Sequence, residues 1–488
     1  MEFRAGANLF AYLVLVAFVP LTVMTFGRLG PATAAAAMAL AGCLFLPELA
    51  AFDLELMPPI GKEAITYLAI LVGAVLHQSR RLGRARPGRG PEAILLLIAV
   101  ANVGTAWINL GPVSDGTALI PGLSAYSVVS ITVGDVLRYG LPFFLGRALF
   151  TTERDLRVLL TVIAGAGLVY ALFILAEIGL SAVFRVFQFG QRVYGTFTAI
   201  PEWRYGGIRP VVFMMHPLAV SIFMATSAIA AAGIAKARFR VFRLSAGASC
   251  GFLLFVLVLC RNVASVVFAV SITFLITLLR PRAIAAVALG LAALVVTYPA
   301  LRTSDLFPHR ELLELAEGFD PERARSLAGR FDEEDEVLGK ARDHLWLGWG
   351  EFTRIRAHQE GLDGFWIIVV GIQGIVGLEL RFALILLPIV VGWRMLPRVA
   401  SARDRTLLAT LMAIVAIRAV DLLPNGWWTN LTVFLAGALF NLARSVGRAR
   451  RRGPQEPASS NRRNAPRSTL PFAFSGSSET KRISRGSM

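Results

Sequence analysis

Of 488 residues, 56% are hydrophobic and only 17% charged, whereas soluble globular chains carry roughly a quarter charged residues; the composition excludes a soluble protein and reads as a membrane protein. The formal charge of +17 comes from 49 Lys+Arg against 32 Asp+Glu, but the surplus sits in short clusters between apolar runs, which argues against nucleic acid as a partner. Cys43, Cys250 and Cys260 each lie inside an apolar run, so neither a disulfide framework nor a Cys-rich metal site is expected.

A bilayer core about 30 Å thick takes roughly 20 apolar residues per helix. Such runs occur at 8–26, 33–52, 63–77, 93–110, 127–150, 156–180, 211–235, 245–260, 263–279, 284–300, 365–391, 406–423 and 428–443. The expected fold is therefore all-α, a polytopic transmembrane helix bundle of 12–13 spans. The short run ending at His77 and the run interrupted by Pro142 are open to tilting or breaking. Met1-Glu2-Phe3-Arg4 sets one cation beside an anion, and no small-residue cleavage site follows the first run, so that run is expected to be a retained helix rather than a removed signal peptide.

Arginine clusters fix the expected direction. Arg80/Arg81/Arg84/Arg86/Arg89, Arg147/Arg154/Arg157, Lys236/Arg238/Arg240/Arg243, Arg280/Arg282, Arg394/Arg398/Arg403/Arg405 and the tail from Arg444 to Arg485 hold 29 of the 49 cations. Thirteen spans put all six on one side, the cytoplasm. Residues 1–443 then form a polytopic membrane domain with outward loops at 182–210 and 301–363, and 444–488 form a disordered basic cytoplasmic tail drawn at most to anionic lipid. The larger loop lies between the tenth and eleventh spans. It holds fifteen Asp+Glu, nine Lys+Arg and three of the five histidines, with amphipathic helical patterns at 309–315 and 332–346 that make it partly helical.

Charges inside spans are costly and point to function or to pairing. Asp135, Arg138, Glu177, Glu379, Arg381, Arg418 and Asp421 are such charges. Asp135 with Arg138, and Arg418 with Asp421, stand three apart, where each pair can neutralise itself. Such pairs serve either as helix-positioning contacts or as a polar pathway. Two further cations stand apart from the cytoplasmic clusters. Arg209 precedes a helix expected to begin at Val211 and carry His216-Pro217, a placement that suits an anion or an interfacial snorkelling arginine. Arg261 interrupts two apolar runs on the outward side, against the usual charge bias.

The larger loop carries Ser326-Leu-Ala-Gly-Arg330, then Asp343-His344-Leu-Trp-Leu-Gly348-Trp-Gly350-Glu-Phe352, then Asp363-Gly364-Phe365-Trp366, with Gly374-Ile-Val-Gly377 inside the next span. An outward Arg with His-Pro at a helix start, an Arg heading a later span, the Arg…Asp-His-x-x-x-Gly-x-Gly-x-Phe loop and the Gly-x-x-Gly span together resemble the O-antigen polymerase/ligase superfamily over roughly 126–442. The resemblance implies a glycan polymerase or ligase, a metal-independent and cofactor-independent membrane glycosyltransferase. It would transfer oligosaccharide from an undecaprenyl diphosphate carrier to an acceptor glycan or lipid-linked glycan at the outer face of the bacterial cytoplasmic (inner) membrane, in O-antigen, capsule or exopolysaccharide assembly. A chain-length regulator or export complex would be its protein partner.

By the same resemblance, Arg209 and Arg261 hold the donor diphosphate and Arg330 is the arginine of the large loop; His216, His344 and Trp366 are further candidate substrate-binding positions. Ligases of the family begin the dipeptide before the Gly-x-x-Gly span with a histidine base, whereas this chain has Asp363, which favours the polymerase branch. A carboxylate can deprotonate a sugar hydroxyl if a partly apolar site tunes it; Asp363 can equally be the N-cap of the following helix. His358 and His344 are the competing bases. Of Trp203, Trp346, Trp349 and Trp366, an interfacial belt should claim about two, leaving the others to stack on sugar rings. Two other classes stay open: a lipid-linked oligosaccharide transporter or flippase, and a non-catalytic partner of a polysaccharide assembly complex.

Overall fold

The computed structural model describes residues 7–54, 57–114, 119–195, 201–319, 321–355 and 363–448. His358 and tail residues 449–488 lie outside the described residues. The chain is predominantly helical, with four two-residue hairpins as its strands among the described residues. Its helices are α1 (Leu9–Arg28), α2 (Pro31–Phe45), α3 (Lys62–Ala85), α4 (Ile94–Ile108), α5 (Ala125–Asp135), α6 (Leu141–Leu149), α7 (Glu153–Phe184), α8 (Phe189–Tyr194), α9 (Pro217–Lys236), α10 (Ala246–Leu259), α11 (Val263–Leu278), α12 (Pro281–Thr303), α13 (His309–Phe319), α14 (Pro321–Ala341), α15 (Phe352–Ile355), α16 (Phe365–Met395), α17 (Ala402–Asp421) and α18 (Asn430–Arg448).

The apolar runs fall largely on helices, although the run at 33–52 extends past the end of α2 and that at 127–150 is divided between α5 and α6; α13 covers the amphipathic pattern at 309–315 and α14 the first part, 332–341, of the second. Among the described residues seven helices are long and apolar enough to cross a membrane, and α2, α10, α11 and α18 are shorter apolar helices. Helices α9 and α17 are buried almost all round, as helices apolar on every face must be. By contrast α4, α10 and α11 expose rows such as Leu96, Leu97 and Val100, or Val267, Val270 and Phe274, which marks an apolar outer surface.

Three local expectations are corrected. The helix expected from Val211 begins at Pro217, capped by His216, whose Nδ1 accepts from the Leu218 N–H at 3.2 Å; proline's missing N–H and fixed φ suit the first helical position. The helix expected after Arg330 starts at Pro321 and carries Arg330 in its middle. The run broken at Pro142 passes through a five-residue π-helical turn, Val136–Gly140, in which the Leu141 N–H reaches back to Val136 O.

The two expected ion pairs are re-partnered. Asp135 Oδ2 accepts from Arg381 Nη2 at 2.7 Å and from Asn102 Nδ2 at 2.8 Å, while Arg138 is exposed. The wider π turn carries Arg138 off the face that Asp135 occupies. Arg418 donates to the Thr432 and Thr429 hydroxyls at 3.0 and 2.6 Å, and Asp421 accepts from Asn425 at 2.8 Å. A helical side chain leans toward its own N-terminus, which takes the Arg418 fork away from Asp421. Glu177 spends its charge on main chain, accepting the N–H groups of Phe189, Val211 and Val212 at 2.7–2.9 Å.

Candidate active site

The segment 201–210 folds into a tight antiparallel hairpin pairing Trp203 with Ile208 and Arg204 with Gly207. Its two turn residues, Tyr205 and Gly206, both have positive φ, 48° and 73°, the backbone that two-residue hairpins require. Arg261, in the turn between α10 and α11 and itself at φ 56°, donates through Nη1 to Arg204 O at 2.8 Å and also to Tyr205 O. The cation that interrupts two apolar runs is therefore docked on the hairpin turn.

Arg209 leaves the same hairpin and is only 3% exposed. Its Nη1 bonds Glu202, while Nε and Nη2 are buried without a hydrogen-bond partner among the described residues. Glu202 Oε1 lies 3.0 Å from His216 Nε2. Since Nδ1 accepts the cap bond, Nε2 is the nitrogen that donates. The His216 hydrogen bond, helped by the Arg209 charge, holds the Glu202 carboxyl down at about 2. Burial in turn pushes the Arg209 guanidinium down. The His216 ring stacks on Trp427, centroids 4.4 Å apart at 13°.

On the loop side, Arg330 Nε sits 3.3 Å from Asp363 Oδ2, and the Asp363 N–H donates to Glu333 Oε2 at 3.0 Å. Asp363 is not the cap of α16: that position is Gly364, with no side-chain cap, and the Phe365 N–H is met by the carbonyls of Leu422 and Asn425. The next residue of α14, Glu334, fastens the loop to the bundle by accepting from Tyr298, Arg302 and Trp366 at 2.8–3.0 Å. Burial raises the Glu334 carboxyl. Trp366 is 0% exposed, so in this structure its indole anchors α14 and offers no face to a sugar. Trp203 and Trp346 are exposed, and Trp349 donates to Lys340 O at 3.0 Å.

The hairpin and the loop meet at one cavity of about 360 Å³, lined by Arg204 and Tyr205 of the hairpin, Asn262 beside Arg261, Ser326 and Arg330 of α14, and Asp421 and Asn425. Arg261 and Asn262 also line an adjoining cavity with Tyr205. Arg261 thus docks on the hairpin that Arg209 ends, and Arg330, whose partner is Asp363, lines the cavity together with that hairpin, whereas Arg209 and Asp363 are not among its lining residues. His344 is set apart, packed edge-on against Trp349 at 4.0 Å. Among the described residues no group of three or more His, Cys, Asp or Glu side chains could hold a metal ion.

The two glycine motifs form one structural device. Gly374 breaks α16 with φ 65° and ψ −174°, and main chain from the loop enters the break. Trp349 N donates to Gly371 O, Gly350 N to Ile372 O, Ile375 N to Leu345 O and Val376 N to Trp346 O, at 2.7–3.2 Å. Thr105 of α4 and Asn109, the residue that ends it, donate to the Leu347 and Gly348 carbonyls at 2.6 and 2.9 Å. A broken helix is tolerated at membrane depth only where protein satisfies the freed groups.

Glu202 and Trp427 escape the sequence reading of the site. Their signals are an acid seven residues before Arg209 and tandem tryptophans after Pro424-Asn-Gly. No family model and no curated protein matches the chain.

Proposed function

We propose that the chain is an integral-membrane glycosyltransferase of the polymerase type, moving glycan from a polyprenyl diphosphate carrier to an acceptor glycan at the outer face of a bacterial cytoplasmic membrane. Thirteen spans and a cytoplasmic tail belong to this reading, and reporter fusions after Arg89, Arg243, Arg405 and Arg452 are expected to read cytoplasmic. The observation that carries it is the basic hairpin: Arg209 has two buried guanidinium nitrogens without a hydrogen-bond partner among the described residues, Arg261 docks on the turn, and Arg204 and Arg330 line one cavity. Buried guanidinium donors without acceptors fit a diphosphate, which offers fork-shaped, charged oxygens.

In the step this arrangement serves, Asp363 takes the proton of an acceptor hydroxyl, and the freed oxygen attacks the anomeric carbon. The bond from that carbon to the diphosphate oxygen breaks, and polyprenyl diphosphate leaves against the arginines. Arg330 orients the Asp363 carboxylate through its Nε contact.

Arg209→Ala and Arg261→Ala are each expected to abolish glycan assembly while the protein still inserts, since one charge-assisted contact is worth about 1.5–3 kcal/mol. Full activity of both variants would overturn the reading.

A further inference from the structure

A second cavity, of about 310 Å³, adjoins the first across the stretches 214–219 and 421–430, both of which contribute residues to each cavity. The His216–Trp427 stack belongs to these two stretches. The chemistry of the second cavity is different. Lys62 and Arg138 supply two cations and Glu48 and Glu63 two carboxylates, and its aromatic walls are Trp427 and Trp428. With its charges balanced, a strongly charged ligand gains little there. Lys62, only 4% exposed, is already paired with Glu48, and Glu63 Oε2 accepts the Asn430 N–H at 3.1 Å.

Two observations ask for a polar but neutral occupant. The Trp427 indole N–H is buried and has no acceptor among the described residues. Trp428 is locked in place, stacked on Phe365 at 4.6 Å, tilted against Tyr139 at 4.9 Å and donating to Asn430 Oδ1 at 2.8 Å. Rigid indole faces beside alternating donors and acceptors suit a ring with an apolar C–H face and an equatorial fringe of hydroxyls. The volume falls at the small end of the ligand pockets of about 300–1,000 Å³.

We propose that this Trp-walled cavity is a pyranose subsite, holding one sugar residue of the glycan being joined beside the basic hairpin. The assignment rests on the transferase reading for its role, and on the cavity alone for its ligand. One ring chemistry covers two sources, the first sugar of the diphosphate-linked donor and the terminal sugar of the acceptor. Water alone, about ten molecules at roughly 30 Å³ each, is the competing occupant.

The test is saturation-transfer NMR on the full-length protein in lipid nanodiscs, with neutral methyl pyranosides of the hexose, 6-deoxyhexose and 2-acetamido classes. At least one should bind through its ring C–H protons. Trp427→Ala should weaken it roughly tenfold and Trp427→Phe, which keeps the face and the fold but deletes the N–H, about threefold. Saturation of no pyranoside, or binding that Trp427→Ala leaves unchanged, overturns the subsite. Giving the bound sugar as its 1-phosphate separates the sources: tighter binding that Arg209→Ala removes marks the donor sugar, and equal binding marks the acceptor. Inorganic pyrophosphate, displaced in Arg209→Ala, tests the transferase reading independently. A protein that binds pyranoside but not pyrophosphate keeps the subsite and loses that reading, and the reverse result loses only the subsite.

Discussion

Arg330 Nε stands 3.3 Å from Asp363 Oδ2, with the two side chains 29% and 39% exposed. The contact joins the middle of α14 to the residue before Gly364, and so couples the large loop to the helix whose Gly374 break it fills. The carboxylate remains accessible to an incoming hydroxyl, and the arginine limits its rotation.

On the proposed transferase reading, the Asp363→Asn variant is expected to lose roughly 10²–10⁴ in transfer rate, the usual share of a general base, with its thermal unfolding unchanged. The assay is glycan transfer from a lipid-linked donor by purified protein. Asn supplies a helix cap about as well as Asp, but the cap is Gly364, so capping cannot mask the result. A parent rate in the variant would rule Asp363 out as base.

Glu202 predicts an acid-dependent contribution from the hairpin. Its carboxyl is held at about 2 against its ordinary 4.5, a depressed group whose stabilisation is complete above the unfolded value and fades as pH falls through the folded one. The stability difference between the parent and Glu202→Gln should be full at neutral pH, shrink from about pH 4.5 downward and vanish near pH 2. Thermal unfolding of both proteins across that range checks it, and a difference independent of pH would assign the contribution to shape rather than charge.

Gly348 and Gly374 meet main chain from opposite sides. A Cβ on Gly348 would lie 2.3 Å from Gln373 N, and one on Gly374 2.3 Å from the Trp346 carbonyl carbon, with φ of 71° and 65°. Neither neighbour is a side chain that can swing away. Gly374→Ala is expected to cost at least about 1–3 kcal/mol from backbone strain alone, read as a lowered unfolding temperature. Increased proteolysis within 345–350 would show that the loop has left the break.

Breaking the Asp135–Arg381 pair should be far costlier than removing Arg138. Arg381 is 1% exposed, and Asp135→Asn leaves its guanidinium without its charged partner, a loss of about 3–5 kcal/mol. Arg138→Ala removes an exposed side chain and should stay within about 0.5 kcal/mol. Denaturant unfolding in detergent distinguishes them. Equal losses would return the partnership to Arg138.

The helices were legible in the sequence because their causes are local. The runs of apolar residues fall largely on helices, and the 3.6-residue pattern at 309–315 marks α13. Arg261 was also legible as a cation out of place, since charge bias is a property of position along the chain. The partners were not, because buried charges settle against whatever the packed bundle brings near. Asp135 and Arg381 are 246 residues apart, and the neighbour three positions away lost to that contact once a π turn carried Arg138 off the face of Asp135 and into the lining of the second cavity. The glycine motif likewise reads as two separate spacings, Gly-x-Gly and Gly-x-x-Gly, until tertiary structure shows one main chain hydrogen-bonded inside the other's break. Only the fold set Glu202 between Arg209 and His216 and laid Trp427 on the histidine ring, since chain segments remote in sequence share a site only when helix packing brings their ends together.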